Sequence, residues 1–209
     1  MYSRMLHEAG SGRLSYLLAD LGAGEAVLID PRPADVPLLQ AMLAEHQLRL
    51  RWLLRTHEHD ALHADGATQA DDAWRALGAP VVQHRVPEGG LIDVGDEVLR
   101  VLATPGHTDH CLSFLWRDRL FCGGLLSVDS CPDQPRPALP EALWDSVTRQ
   151  VFTLPDETLL YAGHARRGRA VSTVFEQRRW HPHFAGASRD SFLARMAALP
   201  ARASATAIH

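Results

Sequence analysis

Short apolar runs alternate along the chain with longer segments in which apolar residues recur at helical spacing. An apolar run of roughly four to eight residues, bounded by turn residues, is typical of a buried strand. On this basis strands are predicted at 14–18, 26–29, 51–55, 81–83, 98–102, 111–116, 119–122 and 159–161. Val36, Leu39 and Leu43 instead form a helical stripe, in a helix that Asp35 can cap and that runs to residue 45.

Further helices are predicted at 67–77, 142–152 and 170–179. Ser188 can cap a last helix that ends before Pro200, because serine at an N-cap accepts hydrogen bonds from free backbone amides. Strands that alternate with helices, followed by hairpins, predict a layered α/β architecture. The length of 209 residues fits one domain spanning 1–209, since domains usually contain ~100–200 residues.

The charge, hydropathy and cysteine content of the chain limit the kinds of partner and compartment that are expected. The formal net charge is −4 at pH 7, so the chain lacks the basic surplus that is typical of proteins that bind nucleic acid or membrane surfaces. No apolar stretch reaches membrane-spanning length, and the first residues lack the apolar core of a secretory signal. The 3 cysteines have no disulfide-framework spacing and suit a reducing compartment. We therefore expect a cytoplasmic protein without a nucleic-acid or membrane partner.

Histidines follow several of the predicted strands. His57 and His59 come directly after the strand at 51–55, and His107 lies in a Gly-His-Thr sequence after the strand at 98–102. Neutral imidazole is the commonest protein ligand of zinc and of non-haem iron, and three imidazoles with one open position make a catalytic arrangement. The sequence therefore predicts one divalent metal, Fe(II) or Zn(II), held by these histidines.

The same stretches carry a family resemblance that covers nearly the whole chain. They are Ser15-Tyr16-Leu17-Leu18, Val27-Leu28-Ile29-Asp30-Pro31, Thr56-His57-Glu58-His59, Thr104-Pro105-Gly106-His107-Thr108, Phe152-Thr153-Leu154-Pro155 and Val171-Ser172-Thr173-Val174-Phe175-Glu176. On these motifs the chain resembles the metallo-β-lactamase fold superfamily, and within it the persulfide (sulfur) dioxygenases, with glyoxalase II next. The resemblance implies an αββα four-layer sandwich whose site lies at one edge of two sheets.

The chain departs from the family pattern at the metal ligands. The superfamily pattern is His-x-His-x-Asp-His, and its Asp and last His positions are here Ala61 and Leu62. The resemblance further implies that iron is held by the first His, the Gly-His-Thr His and an Asp, which fall on His57, His107 and Gly124. The anionic third ligand is therefore absent from this sequence.

A single, altered metal site follows from these departures. His59 is the candidate replacement for the missing carboxylate ligand. His164 is either a ligand or a site-lining remnant of the second metal site, whose other ligands are substituted. Asp60 and His63 offer donors nearby and could rebuild that second site only if their loop changes its path.

Four other residues are candidates for supporting roles. Asp30 is expected to hydrogen-bond backbone or a ligand histidine, as partners of metal ligands do. Cys131 is either a thiol near substrate or an inert buried cysteine. Arg136 and Arg166 could bind a glutathione-like carboxylate, although solvated surface arginines are the commoner case. The family's substrate-side Arg and Tyr fall here near Asp133 and Arg166.

The resemblance implies a metalloenzyme that oxidises a low-molecular-weight, glutathione-type persulfide with O₂. Two alternatives stay open. One is a glyoxalase II-like hydrolase of thioesters, and the other is a non-catalytic homologue that binds a thiol ligand or a partner. The expected partner is in each case a small thiol or persulfide, and the oligomeric state stays open between a monomer and a homodimer.

Overall fold

The first β-sheet is built from the amino-terminal part of the chain. In a computed structural model, which describes residues 2–58, 73–126, 131, 134, 136–166 and 169–199 and only the backbone of Arg166, its strands stand in sequence order. They are β1 Tyr2–His7, β2 Leu14–Asp20, β3 Glu25–Ile29, β4 Arg49–Leu54 and β5 Val81–Val82. The last three are parallel, so their carboxyl ends share one edge.

The second sheet follows in sequence and is mostly antiparallel. Its order is β11-β10-β9-β8-β7-β6, in which only β9 and β10 are recorded as a parallel pair. The strands are β6 Leu91–Val94, β7 Glu97–Ala103, β8 Leu112–Trp116, β9 Arg119–Gly123, β10 Leu159–Arg166 and β11 Arg169–Thr173.

The helices flank these sheets. They are α1 Val36–Glu45, α2 Pro140–Ser146 with a π-helical continuation at Val147–Val151, α3 Val174–Trp180 and α4 Arg189–Ala197. Residues 73–75 are also helical, whereas 67–72 of the predicted helix lie outside the described residues. As predicted, Ser188 caps α4 by accepting a hydrogen bond from the Ser191 amide. In the described part of the chain, no helix is long and apolar enough to cross a membrane.

Three apolar clusters define the layers. The central one joins inward-facing residues of both sheets, such as Tyr16, Ile29 and Phe114. A second packs α1 onto the outer face of the first sheet, and a third packs the carboxyl-terminal helices onto the outer face of the second. Two sheets face to face with helices outside both give an αββα sandwich, which confirms the predicted fold class.

The two sheets are joined at one edge by hydrogen bonds. The Leu112 amide donates to the Thr56 carbonyl over 2.7 Å, which ties the start of β8 to the segment after β4. The Tyr16 hydroxyl donates to the Ala162 carbonyl over 2.5 Å, which ties β2 to β10. This edge is also where β3, β4, β9 and β10 end, so side chains from both sheets can meet there.

Two features of the fold differ from the sequence prediction. The edge strands β1 and β6 were not predicted, because each pairs with one neighbour only and carries several exposed residues. The helix predicted at 170–179 is wrong over its first part, where β11 pairs with β10. The helix begins only after Thr173, whose side chain forms a capping box with Glu176.

Candidate metal centre

His57, His107 and His164 come from three elements to the joined edge of the sheets. His57 follows β4, His107 lies between β7 and β8, and His164 lies in β10. The ring centroids of His57 and His107 are 4.9 Å apart, and those of His57 and His164 are 6.5 Å apart. His107 and His164 are buried, and His57 is half-buried. The structure thus brings together three of the histidines singled out from the sequence.

A carboxylate and a hydroxyl orient His57. Asp30 accepts hydrogen bonds from the Thr56 amide over 2.7 Å and from the Thr56 hydroxyl over 2.5 Å. The same hydroxyl oxygen lies 2.7 Å from Nδ1 of His57. When Asp30 is ionised it can only accept, so the Thr56 proton points to Asp30 and Nδ1–H of His57 donates to the hydroxyl oxygen. Nε2 of His57 then carries the lone pair that a metal ligand needs.

The backbone of Asp30 adopts an uncommon conformation. Its φ of 48° lies in the left-handed region, which aspartate tolerates better than most residues do. Its backbone amide donates to the Leu54 carbonyl over 2.8 Å. Burial raises the pKa of Asp30 to about 6, although the hydrogen bonds from Thr56 oppose that rise. The buried carboxylate therefore stays ionised at neutral pH through the contacts with Thr56.

The turn that carries His107 is held largely by backbone hydrogen bonds. The Gly106 amide donates to the Thr108 carbonyl over 2.8 Å, and the Ala138 amide donates to the His107 carbonyl over 3.0 Å. The Thr108 amide also donates to the Cys111 sulfur over 3.2 Å. Burial raises the pKa of the Cys111 thiol to about 11, so this sulfur is protonated at neutral pH.

Gly124 lies against the ring of His107. A Cβ built on Gly124 would lie 2.3 Å from Nδ1 of His107 and 2.5 Å from its Cε1. The His107 ring therefore fills the space in which a side chain at this position would begin.

Glu58, which follows His57 in the sequence, forms charged contacts with two other side chains. Glu58 accepts from Arg55 over 2.8 Å and from Nε2 of His84 over 3.0 Å. Burial alone would raise the pKa of Glu58, yet Arg55 and His84 together hold it below its ordinary value. These contacts were not predicted from the sequence. The only signal was that Arg55 and Glu58 stand on either side of the Thr56–His57 pair.

The structure describes only some of the remaining predicted residues. Cys131 is buried, and Arg136 is exposed. The strand position of Arg166 is described but its side chain is not, and His59, Asp60, Ala61, Leu62, His63 and Asp133 lie outside the described residues. Within the described ranges, no group of three or more His, Cys, Asp or Glu side chains is arranged to hold a metal ion.

Comparison with known proteins identifies the family. Human mitochondrial persulfide dioxygenase ETHE1 is 33% identical over 189 residues, which cover 86% of this chain and 74% of that protein. The chain belongs to the persulfide dioxygenase family. The crystal structure of ETHE1 from Myxococcus xanthus agrees, with 37% identity, a TM-score of 0.81 and coverage of 95% of this chain and 91% of that one.

The chain is also similar to proteins of other families. A hydroxyacylglutathione hydrolase of Cereibacter sphaeroides is 33% identical over 165 residues, covering 74% of this chain and 63% of that protein. A metallo-β-lactamase of Staphylococcus aureus is 25% identical with a TM-score of 0.76, covering 95% of this chain and 66% of that one. A scan against protein-family models finds no match. The chain is therefore a persulfide dioxygenase family member with the metallo-β-lactamase fold.

The donor set fits a divalent transition metal. Imidazole suits both iron and zinc, and the Asp30–Thr56–His57 contacts are of the kind that fix the tautomer of a ligating histidine. The described donors alone are incomplete, because the third imidazole expected from the sequence, His59, lies outside the described residues. Among the described residues, His57 and His107 supply two imidazoles whose ring centroids lie 4.9 Å apart.

Proposed function

We propose that this chain oxidises a low-molecular-weight persulfide of the glutathione type with O₂ at one divalent metal. His57 and His107 hold the metal, and His59 supplies a third imidazole in place of the family's aspartate. The observation that carries the proposal is the 4.9 Å approach of the His57 and His107 rings in a persulfide dioxygenase family member. Reaction with O₂ favours Fe(II) over Zn(II), because zinc has no redox chemistry.

The protein's own part is to orient ligands and to exclude water. When bound, iron would supply the redox chemistry that O₂ requires and a position for the substrate sulfur. Asp30 and Thr56 keep the proton of His57 on Nδ1 and leave Nε2 for the metal. The burial of His107 and His164 keeps one side of the site dry. The net reaction adds O₂ and water to the persulfide and releases thiol and sulfite, so one O₂ is consumed per persulfide.

The test is O₂ uptake by protein loaded with Fe(II) and given glutathione persulfide. We expect uptake in a one-to-one ratio with the persulfide consumed, and we expect His57→Ala and His107→Ala to abolish it. The pair Arg117–Glu97, at the far end of the strands, offers a matched control in Glu97→Gln, because a glutamine can still accept the hydrogen bond from the Trp116 indole. Normal uptake by either histidine variant would reject the assignment of those ligands.

A thioester hydrolase is the second candidate, favoured by the similarity to hydroxyacylglutathione hydrolase. It would release free thiol from an acyl-glutathione without O₂, in protein loaded with Zn(II). Anaerobic thioester turnover together with absent O₂ uptake on persulfide would replace the leading proposal by this one. If the loaded protein turned over neither compound but bound glutathione persulfide, the third alternative, a non-catalytic thiol-binding homologue, would stand.

A further inference from the structure

Two charged residues bracket Thr56 and the candidate metal ligand His57 in the sequence. Arg55 precedes Thr56–His57 and Glu58 follows it, and their side chains form an ion pair over 2.8 Å. The Arg55 side chain is 10% exposed and that of Glu58 is 25% exposed, so the pair is largely removed from water. This ion pair closes a short loop of backbone on which His57 sits.

Arg55 is anchored independently of Glu58. Its guanidinium carbon lies 4.2 Å from the centroid of the Trp74 ring, a cation–π contact on a buried side chain. The Trp74 indole nitrogen donates to the Pro31 carbonyl over 2.9 Å, and Pro31 directly follows Asp30. The Arg55 amide donates to the Val82 carbonyl over 3.0 Å. Arg55 is therefore fixed to the same backbone segment that carries the carboxylate beside Thr56.

Glu58 is anchored at its second oxygen by His84. That histidine lies between β5 and β6 and adopts a φ of 65°, a conformation uncommon for residues other than glycine. Such a backbone persists only where the surroundings hold it in place, and it clusters at functional sites. The contact between His84 and Glu58 therefore ties the segment after β4 to the neighbouring connection.

The energetics of buried charge favour a positional role over a role in stability. Removing an arginine and a carboxylate from water is costly, and an apolar pair of the same volume often stabilises a fold equally well or better. What a charged pair adds is direction, because a guanidinium and a carboxylate meet in few geometries. Here the fixed geometry of the ion pair constrains the backbone on both sides of Thr56 and His57.

We propose that Arg55, Glu58 and His84 are positioning residues that set the place of the His57 imidazole in the metal site. The inference rests on the proposed function, since His57 must be a ligand for its position to matter. Asp30 and Thr56 fix the rotation of the ring, and the Arg55–Glu58–His84 network fixes the backbone that carries it. Loss of the network should loosen the metal without unfolding the protein.

The test measures Co²⁺ affinity and the visible absorption spectrum of the bound Co²⁺ for wild type and variants. Glu58→Gln keeps the shape of the side chain and removes its charge, and we expect about tenfold weaker binding with an altered spectrum. Arg55→Lys keeps the charge without the planar fork, and we expect a smaller loss. His84→Asn tolerates the left-handed backbone and is too short to reach Glu58, so it should weaken binding without affecting folding.

Glu97→Gln is the matched control, because it breaks another Arg–Glu pair far from the site. It should bind Co²⁺ as wild type does, and the metal-free Glu58→Gln and Glu97→Gln proteins should melt at similar temperatures. If the Glu58→Gln and His84→Asn proteins bind Co²⁺ with affinities within twofold of wild type and with unchanged spectra, the proposed role of the network is wrong. His57→Ala in the same assay separates the two claims. If it too binds like wild type, His57 is no ligand and the proposed function fails first.

Discussion

The two halves of the candidate metal centre are held in place by different means. His57, after the first sheet, is oriented by side chains, through the Asp30 carboxylate and the Thr56 hydroxyl. His107, between two strands of the second sheet, lies in a turn fixed by backbone hydrogen bonds from residues such as Gly106 and Ala138. A ligand oriented by side chains can be detuned by isosteric substitutions, whereas one held by backbone responds mainly to changes in available space.

Removing an imidazole should have the largest effect. We expect His57→Ala and His107→Ala to weaken Co²⁺ binding by more than about 100-fold, beyond the loss typical of an outer-shell partner. His164→Ala removes a buried histidine at the same edge, 6.5 Å from His57 between ring centroids, and should bind within about threefold of wild type. Competition against a chelator measures all three. An equal loss in His164→Ala would make His164 a ligand as well.

Filling the space beside His107 should come next. The Cβ of Gly124→Ala would lie 2.3 Å from Nδ1 of His107, so the ring must move. We expect metal binding to weaken by more than about tenfold and the free energy of unfolding to fall by about 1–3 kcal/mol, as for overpacking elsewhere. Gly124→Asp tests whether a carboxylate can compensate as a ligand, in which case it should bind metal more tightly than Gly124→Ala.

The control for Gly124→Ala is Gly10→Ala, because a Cβ added at Gly10 meets no atom within 4 Å. It should match wild type in metal affinity and in unfolding. A folded Gly124→Ala protein with unchanged affinity would show that the His107 ring is not confined as described.

The free energy of unfolding should depend on pH through Asp30, which is part of the His57 half of the site. Its pKa is raised by burial to about 6, above the unfolded value of about 3.9, so its contribution to stability is present below pH ~4 and is lost as the pH rises through ~6. Relative to Asp30→Asn, metal-free wild type should lose about 3 kcal/mol at most between these limits. Urea unfolding of both proteins at several pH values measures this, and parallel curves would contradict it.

Substitutions that remove one side-chain contact on each side should give the smallest effects and the sharpest contrast. Thr56→Val removes the hydroxyl between Asp30 and His57, and we expect about tenfold weaker metal binding. Cys111→Ala removes the sulfur that accepts from Thr108 but leaves the backbone hydrogen bonds of the turn. We therefore expect a change of less than about threefold. Equal effects of the two substitutions would mean that the two histidines are held in the same way.

The buried strands of the two sheets were easier to predict from the sequence than the edge strands. Buried strands such as β3 and β4 carry continuous apolar runs, which a sequence shows directly. β1 and β6 are edge strands whose exposed residues interrupt that signal. The start of α3 could have been found, because Thr173 and Glu176 have the spacing of a capping box.

The site was predictable in its ligand candidates and in Asp30 as a hydrogen-bonding residue beside them, but the contacts of Glu58 with Arg55 and His84 were not predicted. The spacing of His57 and the Gly-His-Thr turn of His107 gave those two residues, and the structure brings their rings together. The residues that contact the neighbours of His57 come from separate strands and connections: Asp30, after β3, accepts from Thr56, and His84, after β5, lies within hydrogen-bond distance of Glu58. No local pattern reports such contacts, because they exist only once the strands have paired.

Elemental analysis of the protein, purified without chelators or a His-tag and dialysed, tests the central claim most directly. The claim is that His57 and His107 hold one metal. We predict one equivalent of a divalent transition metal per chain in wild type and none in His57→Ala or His107→Ala. Two equivalents in wild type would mean that Asp60 and His63 have rebuilt a second site. Wild-type protein that retains no metal after loading with Fe(II) or Zn(II), or alanine variants that retain a full equivalent, would contradict the account.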